Sequence, residues 1–195
     1  LMVPALLQTA EHWRQRGYVE AFADDHRVVV IDPLGHGESD RPYDEDVYGA
    51  EAAVDHIASV IEQEDLGRVA MWGYGSGAES TLDTARRRPH LVQAAIVGGL
   101  YLGDYAAGLR TLGLDLRALT ERSAAALEAG DWQAYFDIIP WTMTAEQIER
   151  VAAENDPLAV AAIVRSNLRR ARGFLVPSAP TFAYWGNDEF FAEEN

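Results

Sequence analysis

Residues 72–78 read WGYGSGA, and how this stretch is understood decides the fold. Upstream lies the short apolar run GRVAMWG. Downstream, SGAESTLDTARRRP has a helical pattern, closed by arginines that suit a C-terminal helix dipole and by Pro89. The rhythm between them is that of a catalytic turn, in which small residues flank a central nucleophile. Gly73 and Gly77 are the flanking residues, and the central place is Gly75.

Outward from this turn, short apolar runs alternate with helical patterns. LMV at the start stops at Pro4, like the end of a buried strand. EHWRQRGYVEAFADD has helical spacing, and HRVVVID is a β-branched run of strand length ending in the turn formers PLGHGESD. GAEAAVDHIASVIEQEDL carries apolar residues at Ala53, Ile57, Val60 and Ile61, one face of a helix. VQAAIVGG after the turn is a further buried-type strand. From about 104 to 172 the pattern is helical throughout, and APTFAYWG then returns to strand.

Continuous apolar strands alternating with helices predict an α/β fold, a mostly parallel sheet with helices on both faces. Residues 1–103 and 174–195 form the expected core, with 104–173 a helical cap inserted between strands. Right-handed crossovers place the loops after the strand ends along one edge, where ligands of open α/β sheets bind. PALLQT, DPLGHGESD, GYGSGA, GGLYLGD and GNDEF all follow strand ends and are expected to face one crevice.

Composition narrows the function. The chain has 195 residues, 48% of them hydrophobic, as a folded domain has. It has no cysteine, which removes disulfides, thiolate nucleophiles and zinc–cysteine sites. Its net charge is -15, and all 16 basic residues are arginine. Such an acidic surface repels phosphate backbones, so nucleic acid is not an expected partner. No apolar run is long enough to cross a membrane, and no signal-peptide pattern appears, so the expected location is the cytoplasm. The oligomeric state is not readable from the residues.

Three segments, VVVIDPLGHGESDRP, VAMWGYGSGA and PTFAYWGNDE, together resemble the α/β-hydrolase fold family in its cap-bearing branch, in order and in spacing. The likeness spans nearly the whole chain. It implies a hydrolase of ester-like small molecules that needs no cofactor and no metal. In that family the nucleophile sits at a strained turn between strand and helix. Here that position is Gly75, which keeps the turn and removes the attacking oxygen. Ser76 is the nearby hydroxyl that could substitute, but a turn shifted by one residue would push Tyr74 into the strand–helix junction. The plainer expectation is that Ser76 opens the helix as its N-cap.

By the same resemblance, the backbone amides of Leu6 and Ser76 form the oxyanion hole, although the family's His-Gly before the first donor is Pro4-Ala5 here. The acid of a triad is expected at Asp188, with Asp104 as the alternative. The family's histidine follows the acid, and none of the five histidines lies there. His36 and Asp32 are expected to hold loops; His12, His26, His56 and His90 read as surface or loop residues. Trp132, Tyr135, Phe136, Ile139 and Trp141 are candidates for an apolar pocket, against the alternative that they pack cap helices together. The sequence is expected to be incomplete at both ends, since the family's first and last strands have no counterpart in it.

GYGSGA also fits the dinucleotide pattern G-x-G-x-x-A, but no acidic residue ends the next strand, and the chain lacks the Lys-Ser/Thr of a P-loop. Two functions stay open: a hydrolase acting on a small apolar or ester-like molecule, and a non-catalytic binding or interaction protein on the same scaffold.

Overall fold

The computed structural model describes residues 1–100, 113–139, 143–169 and 179–184. The chain divides into two compact units. One comprises 1–33, 50–102 and 174–195; the other comprises 34–49 and 103–173.

The first unit is built on a parallel sheet. Its strands are β1 (Met2–Val3), β2 (Val69–Tyr74), β3 (Val92–Gly98) and β4 (Thr181–Tyr184), in that order across the sheet. Met2 lies opposite Trp72, Tyr74 opposite Gly98, and Gly98 opposite Tyr184. On the outer side of β1 the run expected as a strand forms one parallel bridge, Met2 with Val30. The Met2 N–H donates to the Val29 carbonyl at 2.8 Å, and the Ile31 N–H donates to the Met2 carbonyl at 3.2 Å. The shortfall from a full strand follows from β1 itself. It is two residues long and stops at Pro4, which has no N–H to continue a ladder.

Helices cover both faces. Helices α3 (Ala50–Gln63) and α4 (Ser76–Arg87) lie on one side, where Ile57, Ala58 and Ile61 cluster with Val3, Met71, Ala85 and Val92. The buried stripe of α3 is Val54, Ile57, Ala58 and Ile61, rotated slightly from the expected face, with Ala53 and Val60 at its margin. Each buried isoleucine contributes roughly 1.5–3 kcal/mol. Helices α1 (Ala10–Gln15) and α2 (Tyr18–Ala23) lie on the other side. There the Trp13 ring meets Trp72 of β2 edge-on at 4.9 Å, and Tyr18 meets it at 5.0 Å. Alternation along β2 explains both faces. Met71 and Gly73 point to the α3/α4 side, while Trp72 and Tyr74 point the other way.

The second unit is helical. It contains α5 (Leu116–Glu128), α6 (Trp132–Ile138), α7 (Ala145–Glu154) and α8 (Pro157–Ser166). Each starts at a residue whose side-chain oxygen accepts from the first turn: Asp115, Asp131, Thr144 and Asp156. Ala124, Leu127, Ala159 and Val160 are fully buried between these helices. Residues 34–49 pack here also. The Ser166 hydroxyl donates to the Tyr48 carbonyl at 3.3 Å, and the Tyr43 hydroxyl donates to Asp156 at 3.0 Å. The Tyr48 hydroxyl donates to the Pro42 carbonyl at 2.5 Å, and burial pushes its pKa up to about 12.

Candidate functional site

The path of the chain places the site. From β1 it runs out to the bridge at Val30, then returns across β1 to β2 on the other side. The loops after β1 and β2 therefore leave the sheet side by side at the point where the direction of winding reverses. The first loop is residues 4–9 and the second is the β2–α4 turn.

In the second loop, Gly75 has φ 54° and ψ -122° and is the N-cap of α4. Its carbonyl accepts from Ala78 and Glu79, and its N–H donates to the Gly98 carbonyl at 2.9 Å. These angles match the first central position of a II′ turn, which favours glycine. The helix therefore starts one residue earlier than the sequence suggests. Gly75 is the cap, and Ser76 is the first helical residue, so the expectation of Ser76 as N-cap is corrected. The reason is the left-handed backbone at 75, which ends the strand and leaves 76 already helical.

The flanking glycines have a different reason to be glycine. A Cβ on Gly73 would strike the Gly77 carbonyl, and a Cβ on Gly77 would strike the carbonyl oxygens of Val3 and Pro4. Strand β2, helix α4 and the end of β1 thus touch backbone to backbone. Tyr74 points away from that junction, with its ring over Gly99, where a Cβ would lie 2.7 Å from it. The Tyr184 ring covers Gly98 in the same manner, and its hydroxyl accepts from the Trp72 indole at 3.0 Å.

The other candidates take these places. Ser76 is half-buried on the first turn of α4, and its carbonyl accepts from the Ser80 hydroxyl at 3.1 Å. Its amide is among the first N–H groups of the helix, which have no acceptor within the helix. Leu6 is half-buried in a turn closed by Gln8 N–H to Ala5 carbonyl at 3.0 Å. Leu7 in that turn is buried and has φ 66°, a left-handed backbone on a residue with a Cβ. Asp32 accepts the Ala10 N–H at 2.7 Å and so anchors the start of α1. His36 is buried, with Nδ1 3.2 Å from the Leu34 carbonyl in its own loop. His12 accepts the Thr9 N–H at the head of α1, while His26, His56 and His90 are exposed.

Trp132, Tyr135 and Phe136 lie together on α6, buried in the helical unit, with Tyr135 edge-on to Trp132 at 6.0 Å and to Phe136 at 5.1 Å. Ile139 is half-buried at the end of that helix. Asp104, Trp141 and Asp188 lie outside the described residues.

Chemically, the apex offers main-chain N–H groups and no side-chain oxygen at position 75. Sequence reasoning missed Ala5, whose Cβ lies 3.1 Å from where a Cβ on Gly75 would sit. It also missed the strained Leu7. For Ala5 the signal was that Pro4-Ala5 replaces the family's His-Gly; Leu7 carries no motif, only its place in the loop after the first strand.

Among known proteins, the alpha/beta hydrolase fold family matches residues 1–100. A putative 2-succinyl-6-hydroxy-2,4-cyclohexadiene-1-carboxylate synthase of Bacillus subtilis (strain 168) is 32% identical over 96 residues, 49% of this chain. That match takes in 33% of the relative, so the likeness spans about a third of its length. The bottromycin epimerase BotH, solved in complex with bottromycin A2, superposes with a TM-score of 0.75 at 19% identity, over 98% of this chain and 74% of its own. A serine-to-glycine mutant of the N-acyl homoserine lactonase AidH, solved with N-hexanoyl homoserine lactone, superposes with a TM-score of 0.63 at 16% identity, over 96% of this chain and 70% of its own. With the family matching half of its length, and the parallel sheet, the tight β2–α4 turn and the winding reversal all in place, this chain belongs to the alpha/beta hydrolase fold family.

Proposed function

We propose that this protein binds a small, apolar or ester-like molecule on the hydrolase scaffold and does not attack it with a serine. One observation carries this reading. By backbone angle the apex of the turn is residue 75, and residue 75 is glycine. A serine one step on, at the first helical position, does not occupy the place from which the family's nucleophile attacks.

The kept architecture supports binding. The amides of Ser76, on the first turn of α4, and of Leu6, in the loop after β1, are the candidate donors to a ligand carbonyl or carboxylate oxygen. By the sequence resemblance Asp188, or Asp104, is the candidate acid, without a nucleophile to serve. The helical segment 104–173 is read as a cap, with Trp132, Tyr135 and Phe136 giving it an aromatic interior; Trp141 is the further candidate that the sequence offers. Relatives on this fold are named for work other than hydrolysis, an epimerase and a synthase. A lactonase with a serine replaced by glycine still holds its lactone.

The test uses the protein in its longest natural form. It is exposed to a serine-reactive phosphonate, weighed intact, and any adduct mapped. The expected result is no adduct on the folded protein, together with a short-chain acyl lactone or ester bound and recovered unhydrolysed. An adduct on Ser76 overturns the proposal and returns the protein to the hydrolases with a nucleophile moved by one residue.

A further inference from the structure

We infer that Ala5 is a second lock on the apex of the elbow, so that residues 5 and 75 act as a coupled pair. The inference rests on Gly75 being the apex, and it concerns what keeps a side chain out of that position.

The three glycines of the turn differ in what surrounds them. At Gly73 and Gly77 a Cβ would meet main-chain atoms, which cannot move without parting strand from helix. At Gly75 the surroundings are open but for one residue. Among the described residues, and leaving aside the chain neighbours of Gly75, the heavy atoms within 4 Å of a Cβ there are two, Ala5 Cβ at 3.1 Å and Ala5 Cα at 3.9 Å. The first distance is tighter than ordinary van der Waals contact and the second is not. Without one methyl group, that of Ala5, no described heavy atom beyond the chain neighbours would lie closer than ordinary van der Waals contact to a Cβ at the apex.

Ala5 cannot easily yield. It follows buried Pro4, whose carbonyl packs on Gly77, and its own carbonyl closes the turn with Gln8. Leu7 in the same turn is buried and already left-handed. The loop is thus held from both sides, and the methyl of Ala5 is held with it. Two separate effects therefore oppose a side chain at 75. One is the positive φ, which belongs to position 75 alone. The other is the contact with Ala5, which belongs to the pair.

A double-mutant cycle separates them, because the φ effect cancels and the contact does not. Ala5→Gly, Gly75→Ala and the double variant are made in the full chain and unfolded in denaturant. Gly75→Ala is expected to lower the folding equilibrium constant about three- to tenfold more when residue 5 is alanine than when it is glycine. Folding of Gly75→Ala only in the Ala5→Gly background supports the inference equally. An equal loss in both backgrounds overturns it, as does failure to fold in both, which would make the backbone angle sufficient. The cycle reads stability alone, so its outcome is independent of whether the protein binds or cleaves a ligand.

Discussion

At the elbow, backbone packs on backbone. The space a Cβ on Gly77 would need is taken by the carbonyls of Val3 and Pro4. In the helical unit the order comes from side chains. Four helix starts are each closed by one side-chain oxygen, and Arg165 gathers Glu128 and Glu121. The first kind of contact has no slack, because moving a carbonyl moves a strand or a helix with it. The second is a sum of small increments, each removable. A site whose geometry must survive sequence change is therefore better built on the first kind, and the elbow keeps its shape here even with glycine at its apex.

The contrast breaks first, if it breaks, at Gly77. Gly77→Ala is expected to cost roughly 4 kcal/mol or more, a large part of the stability of a domain this size. Denaturant unfolding would show the protein unfolded or severely destabilised; a loss within 1 kcal/mol (about the value of a single cap) would erase the distinction.

Asp156 sharpens it from the other side. Its carboxylate accepts from Leu158 and Ala159 at the head of α8 and from the Tyr43 hydroxyl. Asp156→Ala is expected to cost about 1 kcal/mol and to lower the melting temperature by about 2–4 °C. A loss as large as that of Gly77→Ala would mean that the helical unit is as rigidly determined as the elbow.

The smallest effect belongs to Glu128. It receives both terminal nitrogens of Arg165, and that hydrogen-bonded pairing holds its carboxyl below the usual carboxylate range. The folded-state pKa is depressed, so the stabilisation is complete above the unfolded value and is lost as pH falls through the folded one. Both partners face solvent in part, which keeps the contribution under about 1 kcal/mol. Glu128→Gln should differ from the parent in unfolding free energy at pH 7, with the difference vanishing in acid. A difference unchanged by pH would point to packing and not to charge.

The sequence and the structure agree most closely where hydrophobic runs are long. Val69–Tyr74 and Val92–Gly98 form strands because their length and apolar content suit a sheet covered on both faces. The run at 28–31 reads equally well as a strand but depends on its neighbour, and β1 offers only two residues to pair with. The face of α3 was legible to within one residue, since Ile57 and Ile61 belong to both versions. Gly75 stood out because a small residue sat at the centre of a small-x-x-x-small frame. Ala5 was visible only as a departure from the family's His-Gly; its contact with the apex joins residues seventy positions apart, and no local pattern records such a contact. The loop 34–49 showed its turn formers plainly, while its packing with the helices through Tyr43 and Tyr48 came from tertiary structure alone.

Gly75 also has a stereochemical side. Reversing the signs of its two backbone angles gives a conformation in which ordinary L-residues are at ease. The apex is thus a slot of mirror-image handedness in a chain of otherwise single-handed residues. Glycine fits it by being achiral. A D-residue would carry no φ/ψ strain there, whereas every L-residue, serine included, would be held against its own chirality. Handedness guards this position before size does.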